Sequence, residues 1–295
     1  MKKLFLVFLL FLSCCYFQPK ENSNLTIGIV TDVQYCACEP NDVRYYNNSA
    51  VKLDSCINYF NSQKLDFVAH LGDAIDRDFN SFDVILPHFR RSKAPVYFVL
   101  GNHEFNVQEE FKTSVLSKMN LKNDYYSISK DDWKFIFLNG NDLSFRVPQD
   151  SIKKAERDSL YAKLIRTGRC NTGKANGGLS SKQFTWLKNQ LEDAVRANKK
   201  VIVMCHFPIY PVACHSLFND EELTAMLTDY KCVKAYFCGH NHPGGYALKD
   251  GVHFINFKGM VDTPDSASFA KVTLTSDSIF VIGRGREITR RLKIF

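Results

Sequence analysis

The chain has 295 residues, of which 45% are hydrophobic and 23% are charged, a balance that is typical of a folded protein with a sizeable core. Its formal net charge of +7 is modest for this length, and the basic residues are scattered apart from a short run between Arg284 and Lys293. This distribution argues against a nucleic-acid-binding protein, which would carry a basic stripe, and gives weak support to a small acidic substrate.

The first residues have the form of a signal peptide. Lys2 and Lys3 precede an apolar run from Leu4 to Leu12, which is too short for a helix that crosses a bilayer core of about 30 Å. We therefore expect residues 1–17 to be a signal peptide and tether, and the protein to be exported to the periplasm or the extracellular space. A small residue before Cys14 is typical of a bacterial lipoprotein signal. Cys14 is thus a candidate lipid anchor, and cleavage with release is the alternative.

Ten cysteines are present, two in this leader and eight beyond it. In an exported protein such a number indicates disulfides, although the sequence does not show which pairs form. Cys36 and Cys38 share a loop, Cys56 lies on the next predicted helix, and these three are the better candidates. Cys205 and Cys238 lie in apolar runs and are expected to be buried free thiols.

The first part of the chain after the leader predicts strands that alternate with helices. Short apolar runs rich in β-branched residues predict the strands, and helical periodicity predicts the helices between them. This alternation implies parallel strands joined by crossovers. The predicted strands are Thr26–Thr31, Leu65–Leu71 and Pro95–Leu100, and the predicted helices are Asn48–Ser62 and Phe82–Arg91.

The middle of the chain predicts a meander followed by a polar excursion. Strands at Tyr125–Ser129 and Trp133–Asn139 are joined by a polar turn, and residues 143–178 predict a helix and a loop over the site described below. Ser180 and Ser181 are capping candidates for the helix that follows. Two mixed sheets packed face to face, with helices outside, fit this α/β pattern better than one doubly wound sheet. The remaining predicted elements are helices Ser181–Ala197 and Asp220–Asp229, and strands Val201–Cys205, Val233–Cys238, Val252–Phe257, Phe269–Leu274 and Ser278–Ile282, with a hairpin turn at Asp250 and Gly251.

Polar clusters follow five of the predicted strands. Because the carboxyl ends of parallel strands gather at one edge of a sheet, these clusters are expected to face a single pocket although they span most of the chain. The glycines before Asp73 and Asn102 would allow tight turns there. The clusters are Asp32 and Gln34, Gly72 and Asp73, Asn102 and His103, His206, and His240 with His242.

Carboxylate, amide oxygen and imidazole together are ligands of divalent ions such as Mn²⁺, Fe²⁺, Zn²⁺ and Co²⁺. The set is large enough for two ions, and a carboxylate such as Asp73 can bridge metals about 3.5–4 Å apart. A single histidine is usually structural or merely exposed, so no one residue carries the inference. The ordered set of Gly-Asp, Gly-Asn-His-Glu, a strand-ending His206 and Gly-His-x-His indicates a two-metal hydrolase.

With these motifs the chain resembles the calcineurin-like metallophosphoesterase superfamily, and the resemblance extends over residues 18–295 as a single metallophosphoesterase domain. It implies a four-layer αββα sandwich with a dinuclear site. By this pattern the catalytic residues are His103 and Asp73, and His103 stabilises the developing charge or protonates the leaving oxygen without binding metal. The metal ligands it implies are Asp32 at the first ion, Asp73 as the bridge, Asn102 and His206 at the second ion, and His240 and His242 completing the second and first ions.

One departure from the pattern points to a subfamily. Most members carry Asp-x-His in the first motif, whereas this chain has Asp32, Val33 and Gln34, and an amide oxygen is a harder and weaker donor that favours Mn²⁺ or Mg²⁺. The first motif resembles that of the manganese-dependent ADP-ribose/CDP-alcohol diphosphatases. Further stretches resemble this subfamily in order and approximate position, namely Tyr125, Tyr126, Asn176–Leu179, His206–Pro211, Gly239–Tyr246 and Gly283–Arg286.

Two acidic residues near the motifs could support the ligands. Asp76 and Glu104 are candidates for hydrogen bonds to the ligand side chains, with plain solvent exposure as the alternative.

The resemblance to the diphosphatases implies an enzyme with two divalent ions, manganese first and magnesium, iron or zinc as alternatives. Its substrate would be a nucleoside diphosphate-linked sugar or alcohol, such as ADP-ribose or a CDP-alcohol, and its products a nucleoside monophosphate and a phosphorylated alcohol. A phosphomonoesterase or cyclic-nucleotide phosphodiesterase is the alternative, because the superfamily shares one metal core. A binding protein that has lost catalysis is disfavoured, since Asp73 and His103 are both present. The oligomeric state is left open.

Overall fold

The computed structural model describes residues 24–295. The predicted signal peptide and the candidate lipid anchor Cys14 therefore lie outside the described residues. Within the described range, two six-stranded sheets are connected by α-helices and two 3₁₀ helices, His103–Phe105 and Glu109–Ser114. The strands are β1 (Leu25–Val30), β2 (Phe67–His70), β3 (Val96–Phe98), β4 (Tyr126–Lys130), β5 (Trp133–Phe137), β6 (Lys200–Met204), β7 (Val233–Cys238), β8 (Gly245–Lys249), β9 (Val252–Asn256), β10 (Ser268–Leu274), β11 (Ser278–Gly285) and β12 (Arg290–Lys293). The α-helices are α1 (Ser49–Asn61), α2 (Ser81–Arg90), α3 (Val115–Lys118), α4 (Ser151–Arg166), α5 (Ser181–Arg196) and α6 (Asp220–Asp229).

Parallel pairing runs through the middle of each sheet. The first sheet has the order β12-β11-β10-β1-β2-β3, in which β1, β2 and β3 are parallel. The second has the order β4-β5-β6-β7-β9-β8, in which β5, β6, β7 and β9 are parallel. The other pairs are antiparallel. Both sheets are therefore mixed, as the sequence predicts, and neighbouring parallel strands end at the same edge.

The main core lies between the two sheets. Ile27 of β1 belongs to the same buried cluster as Ile202 and Met204 of β6. Their neighbours point the other way, because successive side chains of a strand alternate between its faces. Val30 joins the cluster that includes residues of α1 and α2, and Val203 joins the cluster that includes residues of α5 and α6. Both faces of each sheet are thus covered, which gives the four-layer αββα sandwich expected from the sequence.

Helices α1, α2 and α5 each bury one apolar stripe. On α1, Leu53, Ile57 and Phe60 recur at helical spacing and are at most 2% exposed. Helix α5 is capped by Ser180, whose hydroxyl oxygen accepts a hydrogen bond from the backbone N–H of Gln183 (3.2 Å). No α-helix in the described part of the chain is both long and apolar enough to cross a membrane.

Two strands were missing from the sequence prediction. Strand β8 precedes the predicted hairpin turn and pairs with β9 at the edge of its sheet, where its side chains alternate between partly buried and exposed. Strand β12 lies in the basic run near the end of the sequence, and Leu292 is its buried residue. An edge strand that buries only one face carries too few apolar residues to stand out by pattern.

The cysteine predictions are confirmed in part. Cys36 and Cys38 form a disulfide. Cys56, the third candidate, is a buried free thiol. Cys205 and Cys238 are buried free thiols, as their apolar surroundings predict.

Candidate metal centre

Side chains that follow five strands meet where the two sheets face each other. The ring of His206, after β6, donates from Nδ1 to the carbonyl oxygen of Leu71, after β2 (2.9 Å). The backbone N–H of His240, after β7, donates to Oδ2 of Asp32, after β1 (3.1 Å). These bonds join the sheets at the carboxyl ends of their parallel strands. The structure therefore brings together the clusters that the sequence assigns to one pocket.

The backbone turns sharply at the residues that carry the site. Asp32, Gln34, Asp73 and His240 have φ angles of +51°, +43°, +60° and +66°, in the left-handed region that costs a non-glycine residue about 1 kcal/mol or more. Backbone bonds hold these turns, since the Asp32 N–H donates to the oxygen of Gly72 (3.0 Å) and the Gln34 N–H to that of Asp73 (2.8 Å). Strain of this kind concentrates where function fixes the position of a side chain.

Asp32, Gln34 and His242 form one set of side chains. Nε2 of His242 lies 3.3 Å from Oδ1 of Asp32 and 3.2 Å from the amide nitrogen of Gln34. The same amide nitrogen lies 3.1 Å from Oδ2 of Asp73. The amide oxygen is buried without a hydrogen-bond partner in the described range, and a half-turn of the amide would exchange it with the nitrogen. The set then offers a carboxylate, an imidazole and an amide oxygen around one point.

His206 and His240 form a second set with Asp73, and Asn102 lies on an adjoining turn. Nε2 of His206 lies 3.2 Å from Nδ1 of His240 and 3.2 Å from Oδ2 of Asp73, and one donor atom from each of these three residues lies within 4.8 Å of the others. Asn102 stands on the adjoining turn, where the backbone N–H of His103 donates to Oδ1 of Asp73 (2.8 Å). Asp73 therefore contacts both sets.

Two glycines let these turns approach each other, for different reasons. Gly72 has a φ of +101°, a conformation that side chains rarely adopt. Gly101 has an ordinary backbone conformation, but a Cβ there would collide with Oδ1 of Asp73. The predicted tight turn therefore explains Gly72, whereas Gly101 is required for close packing.

The donor set fits divalent cations. Atoms that bind one ion at about 2.0–2.2 Å lie about 3 Å apart, which is close to the 3.2 Å spacings of His206 with His240 and with Asp73. Oδ1 of Asn102 is buried without a hydrogen-bond partner among the described residues, which is costly unless a ligand binds it. The fully buried carboxylates of Asp32 and Asp73 also concentrate negative charge that a cation would compensate.

The two carboxylates dominate the electrostatics of the site. Burial alone would raise the pKa of Asp32, but His242 and His206 outweigh it and lower the pKa to about 2. Burial alone would lower the pKa of His206, but Asp73 and Asp32 raise it to about 9. His242 has its pKa raised to about 9 in the same way, against burial, by Asp32 and Asp262. The carboxylates thus hold protons on two imidazoles, and a divalent ion would displace those protons.

His103 stands beside both sets without joining either. Its Nδ1 donates to the carbonyl oxygen of Asp76 (2.8 Å) and lies 3.1 Å from Oδ1 of the same residue. Its Nε2 lies 4.0 Å from Oδ2 of Asp73. Burial lowers the pKa of His103, but the charges of Asp73 and Asp76 more than offset this effect and raise it. Asp76 therefore orients the ring so that Nε2 faces the metal side chains.

Glu104 fastens two of the turns to each other. Its Oε2 accepts hydrogen bonds from the backbone N–H groups of Asp73 (3.0 Å) and Gly101 (2.7 Å), and its Oε1 accepts one from Ala74 (2.5 Å). Burial and the charge of Asp73 raise the pKa of Glu104 to about 7. The sequence prediction of a hydrogen bond to ligand side chains is wrong for Glu104, which binds the backbone that carries them.

Two residues that support the site carry no motif in the sequence. Asp262 accepts a hydrogen bond from Nδ1 of His242 (2.7 Å) and fixes that ring. The buried ammonium of Lys52, on α1, lies 2.6–3.2 Å from the four carbonyl oxygens of Met260–Thr263, among which it shares its three N–H donors, and so holds the loop that carries Asp262. The available signal was a lysine beside Leu53 in the apolar stripe of α1, where a charge needs a partner.

Known proteins similar to this chain include metal-dependent phosphoesterases, as the geometry of the site leads us to expect. The family model for calcineurin-like phosphoesterase matches residues 25–244. The manganese-dependent ADP-ribose/CDP-alcohol diphosphatases of Bos taurus and Homo sapiens are each 30% identical to the chain, over 88% of the chain and 91% and 90% of their own lengths. The crystal structure of a dimetal phosphatase from Danio rerio superposes with a TM-score of 0.83 at 25% identity, covering 92% of this chain and 99% of the other.

A more distant structure shows how widely the fold is shared. A purple acid phosphatase from yellow lupin superposes with a TM-score of 0.59 at 14% identity, covering 91% of this chain and 52% of the other. The family match over most of the chain and the buried cluster of Asp73, His206 and His240 lead to the same conclusion. The chain belongs to the calcineurin-like phosphoesterase family and is a metal-dependent hydrolase of phosphoric esters or anhydrides.

Proposed function

We propose that the chain uses two divalent ions, manganese by preference, to cleave the phosphoanhydride of nucleoside diphosphate-linked sugars or alcohols of the ADP-ribose and CDP-alcohol type. The products would be a nucleoside monophosphate and a phosphorylated alcohol. The observation that carries the proposal is the position of Asp73, whose Oδ2 lies 3.1 Å from Gln34 on one side and 3.2 Å from His206 on the other. The relatives that match along almost their whole length are ADP-ribose/CDP-alcohol diphosphatases, and they suggest the substrate class.

The ligand assignment follows from the two sets of side chains. Asp32, Gln34 and His242 would hold one ion, and Asn102, His206 and His240 the other, with Asp73 shared between them. Gln34 supports the choice of manganese, because an amide oxygen in place of an imidazole suits a harder ion. When bound, the ions would supply Lewis acidity, which neutralises phosphate charge and activates water.

His103 is the proposed general acid. Because Nδ1 donates to the carbonyl oxygen of Asp76, it is Nε2 that faces the substrate. From there it would stabilise the negative charge that develops on the oxygens of the phosphorane or protonate the leaving oxygen. Asp76 would keep the ring in this orientation throughout the reaction, and the backbone N–H of His103 would keep Asp73 in register with it.

A substrate panel tests the proposal. Protein stripped of metal is assayed on ADP-ribose, CDP-choline, cyclic AMP and p-nitrophenyl phosphate, with Mn²⁺ or Mg²⁺ added back. We expect release of AMP and CMP that requires metal and is greatest with Mn²⁺. His103→Ala should lower the rate about 100-fold or more, as for loss of a general acid, whereas His88→Ala on the outer helix α2 should not. Activity confined to p-nitrophenyl phosphate or cyclic AMP would keep the metal centre and refute the substrate class.

A further inference from the structure

Arg146 stands in a loop that is docked onto the metal centre. In the loop after β5, the side-chain amide of Asn141 donates to the carbonyl oxygens of Leu100 (3.1 Å) and Gly101 (3.0 Å), immediately before Asn102. The hydroxyl oxygen of Ser144 accepts a hydrogen bond from the backbone N–H of Arg146 (3.1 Å). The backbone that carries Arg146 is therefore fixed to the turn that carries Asn102.

The next residue of the loop fixes the other side. Val147 packs against the apolar cluster that contains Phe105, from the short 3₁₀ helix that begins at His103. Arg146 thus lies between the bonds of Asn141 and Ser144 on one side and the packing of Val147 on the other.

The guanidinium of Arg146 is short of partners. Its Nη1 is buried without a hydrogen bond. Among residues 24–295, no carboxylate oxygen lies within 4.0 Å of a guanidinium nitrogen of Arg146. Two other partly buried arginines differ, since Arg169 pairs with Asp220 (2.7 Å) and Arg290 with Glu287 (2.9 Å). Arg146 is half-buried, and a cation withdrawn from water without a paired anion is costly. Such a group suits a site whose anion arrives with the substrate.

The loop of Arg146 lies beside the turn that leads into Asn102 and His103, because Asn141 is bonded to Leu100 and Gly101. Burial lowers the pKa of Arg146, and the charges of Asp73 and Asp76 act in the opposite direction. Asp76 is the residue that orients His103. The loop contacts and these charges together relate Arg146 to the His103 side of the metal centre, where the leaving group of the proposed reaction would depart.

We propose that Arg146 binds the second phosphate of a diphosphate substrate, the one that leaves with its alcohol or nucleoside, and that it thereby makes the site favour diphosphates over monoesters. This inference rests on the proposed function. A monoester has no second phosphate to reach Arg146, whereas a planar guanidinium binds a phosphate through two parallel hydrogen bonds.

Kinetics of Arg146→Gln on two substrates test the inference. We expect kcat/KM for ADP-ribose to fall about 10- to 100-fold, the factor for loss of a hydrogen bond between charged groups, and kcat/KM for p-nitrophenyl phosphate to stay within about twofold. Arg146→Lys should recover part of the ADP-ribose activity. Arg166→Gln, which removes an exposed arginine of α4, should leave both substrates unchanged. The melting temperature of each variant monitors folding.

The outcomes separate this inference from the proposed function. An unchanged substrate ratio in Arg146→Gln, or an equal loss on both substrates, would overturn the role of Arg146 and leave the proposed function intact. Failure of the unmodified protein to cleave ADP-ribose would refute the proposed function instead. In that case the role of Arg146 is tested by calorimetric titration of the manganese-loaded protein and of Arg146→Gln with imidodiphosphate and with orthophosphate. The role is supported if Arg146→Gln loses affinity for imidodiphosphate alone. It is overturned if both affinities are unchanged or fall together.

Discussion

Replacing Glu104 by glutamine should damage the metal centre without touching a ligand. The carboxylate accepts three backbone hydrogen bonds, from Asp73, Gly101 and Ala74. An amide keeps one acceptor oxygen and turns an NH₂ group toward at least one N–H donor, and a buried unsatisfied donor costs about 1–3 kcal/mol. The pKa of about 7 shows that burial and the charge of Asp73 already disfavour the carboxylate, so relief of that charge offsets part of the loss. We expect a net destabilisation of about 2 kcal/mol.

The change should also weaken metal binding, by a free energy similar to its effect on stability. Asp73 and Asn102 stand on the two turns that Glu104 joins, and loss of such supporting contacts typically lowers metal affinity about 10- to 100-fold. Mn²⁺ affinity would be measured by calorimetry at pH 8, where the unmodified carboxylate is ionised, together with the free energy of unfolding. Glu109→Gln is the matched control, because that side chain is 81% exposed. Manganese affinity within twofold of the unmodified protein would refute the reasoning.

Three further changes have defined outcomes. Burial lowers the pKa of His70 from 6.5 to about 3. Between these pH values the unfolded state binds more protons than the folded state, so stability falls as the pH drops. His70→Leu should remove about 3 kcal/mol of that loss between pH 6.5 and pH 4, as measured by urea unfolding. Asp262→Ala should weaken Mn²⁺ binding about 10- to 100-fold in calorimetry by freeing the ring of His242. Gly101→Ala should force a methyl group against Asp73, lower stability by about 1–3 kcal/mol in the same unfolding assay and abolish manganese loading. The expectations would be contradicted by an unchanged acid profile in His70→Leu, by unchanged manganese affinity in Asp262→Ala, or by normal manganese content in Gly101→Ala.

The fold was predictable because the strands that hold the site are buried on both faces. Strands such as Val201–Cys205 read as continuous apolar runs, and the polar residue that follows each one marks its carboxyl end. Their convergence followed from parallel pairing alone. The edge strands β8 and β12 bury one face and gave no comparable signal.

The supporting contacts of the site were less predictable. Asp262 is remote in sequence from the five strand ends and reaches His242 only through the loop held by Lys52. Arg146 lies in a polar excursion with no periodicity, and the absence of an ion-pair partner can be seen only in three dimensions. The exported location and the lipid anchor at Cys14 stay predictions from the leader.

The number of manganese ions bound per chain tests the dinuclear centre most directly. The protein is stripped of metal, reloaded with Mn²⁺, freed of excess and analysed for metal content. We expect two ions per chain, and Asp73→Asn should hold fewer than two because the shared ligand of both sets is lost. One ion or none in the unmodified protein, or two ions retained in Asp73→Asn, would contradict the proposed bridge.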